Sequence, residues 1–174
     1  MERPNVSKQR FLIVTLLNVL ITVVEIIGGL VSGSLALLSD AFHNLGDSIS
    51  IVLGYFAQVI SGRPENRRRT YGYRRAEILS AMANSIFLIV VSIALIVEAI
   101  KRFSHPEHIN GQIMLIVAII GLIANLVSAQ LLHSGSHDSL NVKATYLHVL
   151  SDALSSIAVI FGGVILMFFN ITWL

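Results

Sequence analysis

FLIVTLLNVLITVVEIIGGLV, residues Phe11–Val31, holds one charged residue in twenty-one. A helix rises 1.5 Å per residue, so this run spans about 30 Å, the thickness of a bilayer's hydrocarbon core. Four more runs of the same kind follow, at about 35–60, 76–100, 112–132 and 142–170. They are too long and too continuous for barrel strands, and lipid forces each to satisfy its own backbone as a helix. The expected fold is all-α: one polytopic transmembrane bundle over residues 1–174, with five spans and short polar connections. Composition agrees. Of 174 residues 55% are hydrophobic and 13% charged, against roughly 25% charged in soluble domains, and the mean hydropathy is +0.78. Residues 1–10 lack the small-residue cleavage site of a secretory signal. With no cysteine, thiolate metal sites, iron–sulfur clusters and disulfides are excluded. The net charge is only +2, and no feature calls for a nucleic-acid partner.

Lys and Arg set the orientation. With the N-terminus inside, the inner segments carry Arg3, Lys8, Arg10, Arg63, Arg67, Arg68, Arg69, Arg74, Arg75 and Lys143, while the outer ones carry only Lys101 and Arg102. That asymmetry is the positive-inside pattern, so the N-terminus is expected in the cytoplasm. The arginines at 67–69 also suit an anionic lipid surface.

An internal repeat carries the chemistry. His43-Asn-Leu-Gly-Asp47-Ser-Ile-Ser50 in the second span matches His148-Val-Leu-Ser-Asp152-Ala-Leu-Ser155 in the fifth. The two spans run in opposite directions, and inverted repeats of this kind frame midplane sites in transporters. Residues four apart share a helix face, so each histidine points with its aspartate. Counted at 1.5 Å per residue, His43 and Asp47 lie about 12 and 18 Å below the outer face, and the second pair about 15 to 21 Å below it. Both pairs therefore reach the same level. Ionisable groups at that depth are costly and mark paths or paired networks. Two imidazoles and two carboxylates suit Zn²⁺ in a tetrahedron, with Cd²⁺ or Co²⁺ as possible substitutes. The absence of Cys, and of a Met pattern at this level, argues against Cu(I), and an all-oxygen site for Mg²⁺ or Ca²⁺ would need no histidines. A structural His–Asp hydrogen-bond network is the competing reading. Because metal requires neutral histidine and ionised carboxylate, protons compete for the site. The expected activity is proton-for-metal antiport by alternating access, against a uniporter whose site stays proton-free.

Several accessory residues have two readings each. Glu25 relays protons or lines a cavity, or it hydrogen-bonds between helices. Asp40, one turn before His43, forms a vestibule for departing metal or compensates the helix dipole. Asn125 lines the path or packs helices together. His133, His137 and Asp138 collect cytoplasmic metal or are solvated loop residues.

Ser32-Gly-Ser-Leu-Ala-Leu-Leu-Ser-Asp-Ala-Phe-His43-Asn-Leu-Gly-Asp47, Tyr71-Gly-Tyr-Arg-Arg-Ala-Glu77 and Asn141-Val-Lys-Ala-Thr-Tyr-Leu-His148-Val-Leu-Ser-Asp152-Ala together resemble the cation diffusion facilitators, over nearly the whole chain. The resemblance implies zinc export from the cytoplasm, proton antiport, a homodimer, and His43, Asp47, His148 and Asp152 as the transport site. The histidine in the helix 2 pair is similar to the zinc-selective branch. That family has six membrane helices, and most members add a cytoplasmic C-terminal domain. Here the sequence stops at Asn170-Ile-Thr-Trp-Leu174, just after the fifth span, so a sixth helix and a soluble domain are expected to be absent from this chain. The expected location is a prokaryotic inner membrane. Two other functions compete: a non-transporting scaffold or fragment, and an intramembrane metalloenzyme. The latter needs more deep histidines or an H-E-x-x-H motif, so a non-enzyme is expected.

Overall fold

A computed structural model describes residues 8–61, 75–105, 107–133 and 140–169. Its five helices are α1 (Lys8–Ser32), α2 (Leu35–Ser61), α3 (Arg75–Ser104), α4 (Gly111–His133) and α5 (Leu140–Phe169). They fall on the five expected spans. The ends move outward because a helix continues past the apolar run for as long as its backbone can stay bonded. The first helix starts three residues early and the third ends four residues late. Asn170, the expected end of the last span, lies outside the described residues.

Among the described residues four helices are long and apolar enough to cross a membrane: α1, α3, α4 and α5, with mean hydropathies of 2.1 to 2.4. The second helix falls short of them. Its first half carries Ser39, Asp40, His43, Asn44 and Asp47, and it is long enough to span but pays in hydropathy for the polar face it turns inward.

The helices pack in a definite order. The fourth lies against the fifth and the first, the first against the second, and the second against the third, while the second and fifth touch lightly. Two apolar clusters sit at opposite ends. Leu37, Met114, Val117, Ala118 and Val159 fill the end near the α1–α2 turn, and Val14, Ala129, Leu132 and Val149 fill the other. The polar side chains buried between them are Glu25, Asn44, Asn125, Ser128, Asp152 and Ser156. Outward-facing residues such as Leu12, Leu30, Ile78 and Phe161 are more than 60% exposed, as expected where lipid is the solvent. No residue in the apolar stretch of α3 is buried.

The α1–α2 turn is specified locally. Gly33 has φ of +71°, and the Ser34 N–H donates to the Gly29 carbonyl at 3.1 Å. This is a helix stop with glycine in the left-handed position. Ser34 then caps the next helix, its Oγ accepting from the Leu37 N–H at 3.3 Å. The fourth helix starts likewise, with Asn110 Oδ1 accepting from the Ile113 N–H at 3.1 Å. The Asn110 N–H reaches the Ser32 carbonyl at 2.9 Å, which seats this loop on the end of the first helix. Gly33→Ala is expected to cost about 1–2 kcal/mol, the strain of a Cβ in the left-handed region. A thermal melt in detergent unchanged by that substitution would show the turn to be freer than this.

Candidate metal centre

Half of the inverted repeat comes from α2 and half from α5. His43 and Asp47 share one face of α2, and His148 and Asp152 share one face of α5. The two helices touch lightly, and the pairs meet there. His43 Nε2 lies 3.6 Å from Asp47 Oδ2, and His148 Nε2 lies 3.3 Å from the same oxygen. The imidazole centroids are 6.1 Å apart and tilted by 56°. One nitrogen or oxygen from each of His43, Asp47 and His148 lies within 4.8 Å of the others, a spacing that could hold a metal ion.

Asp152 stands beside this trio. Its Oδ2 is 3.6 Å from His148 Nε2, but among the described residues it lies outside the three-residue group. Asp47 is thus the hub, facing both imidazoles, and Asp152 meets only one. Neither Asp47 Oδ2 nor Asp152 Oδ2 has a hydrogen-bond partner among the described residues. Buried carboxylate oxygens without donors are expensive, and a cation between them and the imidazoles would compensate both. Burial is uneven: the His43 side chain is 58% exposed and that of Asp152 5%.

The exposed side of His43 faces a cavity of about 910 Å³ between the second, third and fifth helices. Its polar wall includes Asp40, His43, Ser151, Asp152 and Ser155, opposite apolar Leu88 and Val91. At one end stands Arg102. It donates to the Gly33 carbonyl and lies 3.4 Å from Glu98 Oε1 and 3.3 Å from Glu107 Oε2. These contacts pin the last turn of the third helix to the α1–α2 turn.

The accessory candidates divide. Asp40 lines the cavity and accepts from Ser155 Oγ at 2.8 Å, so its carboxyl is engaged across the helix pair rather than with its own helix start. Glu25 is 1% exposed and accepts from Asn44 Nδ2 at 3.3 Å. Asn125 is 2% exposed, and its Nδ2 lacks a hydrogen-bond partner among the described residues. His133 is not brought to the cluster; its ring lies 5.7 Å from that of Tyr146. His137 and Asp138 lie outside the described residues. The sequence assigns Asn44 no role and counts Arg102 only toward orientation. Asn44 sits four residues after Asp40 and so shares its face, a signal that was available. Ser155 was visible only as the last letter of the repeat.

A helical membrane bundle that gathers imidazoles and carboxylates beside a polar cavity belongs to the class of cation-handling membrane proteins. Comparison with known proteins narrows the class. The cation efflux transmembrane domain matches residues 11–174. The cadmium, cobalt and zinc/H(+)-K(+) antiporter of Bacillus subtilis is 42% identical over 153 residues, covering 87% of this chain and 49% of that protein. The metal cation efflux system protein CzcD of Cupriavidus metallidurans is 40% identical over 172 residues, covering 99% and 54%. The zinc transporter ZitB of Escherichia coli is 43% identical over 145 residues, covering 83% and 46%. This chain belongs to the cation efflux family of membrane transporters. It spans about half the length of these relatives.

Proposed function

We propose that this protein moves a divalent transition metal, zinc foremost, out of the cytoplasm in exchange for protons, through a four-ligand site of His43, Asp47, His148 and Asp152. The observation that carries the reading is the approach of His43 and His148, 105 residues apart in the chain, to Asp47 Oδ2, with Asp152 beside His148. The cavity that opens onto His43 and Asp152 supplies a route to them. The relatives' names support zinc, with cadmium and cobalt as further cargo, and one names both H(+) and K(+) as the exchanged ions.

The coupling follows from ligand chemistry. Imidazole binds metal only when neutral and carboxylate only when ionised, so zinc entry displaces protons and zinc departure readmits them. A mixed nitrogen and oxygen donor set of this kind suits zinc. With the basic residues of the sequence inside, the N-terminus is cytoplasmic and the Arg102 end of the cavity faces outward. A homodimer in a prokaryotic inner membrane completes the proposal.

Zinc flux and lumenal pH, followed together in proteoliposomes holding this chain, test it. Each zinc transported is expected to move protons the opposite way. Flux without proton movement would refute antiport. Zinc binding without flux would favour a non-transporting scaffold.

A further inference from the structure

Glu25 is the most deeply buried carboxyl among the described residues, at 1% exposure, and it is not one of the proposed metal ligands. It stands on the first helix at the centre of the polar layer. Its Oε2 accepts from Asn44 Nδ2 at 3.3 Å. Its Oε1 faces α4 at Gly121, where an added Cβ would lie 3.1 Å from it. Gly121 is thus the space that the carboxyl occupies. Ser156 Oγ borders the same glycine, 3.6 Å from that Cβ position. The Ser156 hydroxyl donates to the Asp152 carbonyl at 3.1 Å, which leaves its lone pairs able to accept.

Asp40 of the second helix and Asp152 of the fifth act on Glu25 as like charges. The fourth presents Gly121 and, one turn on, Asn125, neither charged. No Lys or Arg lies in the middle of any apolar span. An ionised carboxylate in this position would have one neutral donor, two carboxylate neighbours and no counter-charge, an arrangement the membrane interior does not tolerate. Two further buried atoms in the same layer, Asn44 Oδ1 and Asn125 Nδ2, lack hydrogen-bond partners among the described residues. This layer has unused polar capacity beside Glu25.

We infer that Glu25 holds an exchangeable proton on Oε1 and releases it when a metal ion occupies the neighbouring His–Asp cluster, so that one of the protons exchanged for metal is carried outside the ligand set. This rests on the antiport reading above. A divalent cation placed between the second and fifth helices offsets the negative charge there, and in a medium of low dielectric constant that change reaches across a helix diameter. The O–H bond of Glu25 breaks and the carboxylate remains, compensated by the metal's charge. The proton passes to water in the cavity that Asp152 lines, Asp152 itself staying ionised as a metal ligand. Metal departure reverses the step.

The test counts protons. Zinc is titrated calorimetrically into the purified chain in buffers of differing ionisation enthalpy, which yields protons released per zinc bound. Glu25→Gln keeps the size and the acceptor for Asn44 but cannot release a proton. It is expected to bind zinc and release about one proton fewer per zinc than the wild type, while Glu25→Asp releases the wild-type number. An unchanged count in Glu25→Gln would overturn the inference. A wild type that releases no protons on binding zinc would instead sink the antiport reading beneath it. Should Glu25→Gln not fold, infrared difference spectra of the wild type grown with ¹³C-glutamate take its place. Of the six glutamates only Glu25 lies mid-span, and a label-sensitive protonated-carboxyl band should vanish on adding zinc. No such band would overturn the inference equally.

Discussion

Asp47→Ala should weaken zinc binding by at least about 100-fold, beyond the 10–100-fold loss usual for residues that only support a ligand. Asp47 Oδ2 is the atom that both imidazoles approach, at 3.6 and 3.3 Å. Removing it leaves two imidazoles with no shared anion between them. Asp152 meets only His148, at 3.6 Å, and stands outside the tight trio. Asp152→Ala should therefore cost less, on the order of tenfold. Calorimetric titration near neutral pH measures both. The ranking is the informative outcome. Equal losses would mean that the two carboxylates share the metal symmetrically. A larger loss at Asp152 would move the centre of the site toward the fifth helix. Wild-type affinity in both variants would leave the pairs as a structural network and end the metal reading.

Lowering the pH from about 7.5 to about 6 should weaken zinc binding on the order of tenfold, because protons and metal compete for the same nitrogen and oxygen atoms. The sign follows from the donor set. Each ligand binds zinc in its deprotonated form, so affinity is greatest on the alkaline side and falls as protons are added. Replacing an imidazole removes an atom for which protons and metal compete, and should flatten the dependence. His43→Asn is the more informative replacement, since His43 is the more exposed of the two, its side chain at 58% against 35% for His148. It can change with least disturbance to packing. A pH dependence untouched by His43→Asn and by Glu25→Gln would place the competing proton on His148 or the aspartates.

The two experiments bear on different parts of the mechanism. The alanine variants ask where the metal sits, and the pH series asks what its arrival displaces. The cavity lined by Asp40, Ser151, Asp152 and Ser155 matters to both. It opens onto one side of the cluster, which is the access that the proposed exchange requires.

Five helices and the shared face of each His–Asp pair could be read from the chain alone. The physical reason is that lipid removes the alternatives. A long apolar run has to bond its own backbone, so its identity as a helix depends on nothing outside itself. A histidine and an aspartate four residues apart share a face by helix geometry. The same locality made the Gly33 stop and the Ser34 cap a matter of neighbouring residues.

What only the tertiary structure decided are relations between helices. That Asp47 is the hub and Asp152 its neighbour depends on how the second and fifth helices lie, and no spacing within either helix contains that angle. Asp40 accepts from Ser155 across 115 residues of chain, and Arg102 reaches the Gly33 carbonyl across 69. For Glu25 the sequence left a proton relay or cavity lining against an interhelical hydrogen bond, and the structure shows such a bond, from Asn44 of the second helix at 3.3 Å. In lipid the apolar surfaces of helices are nearly interchangeable, so their pairing is settled by close packing and by a few polar contacts, and those exist only once the helices have met.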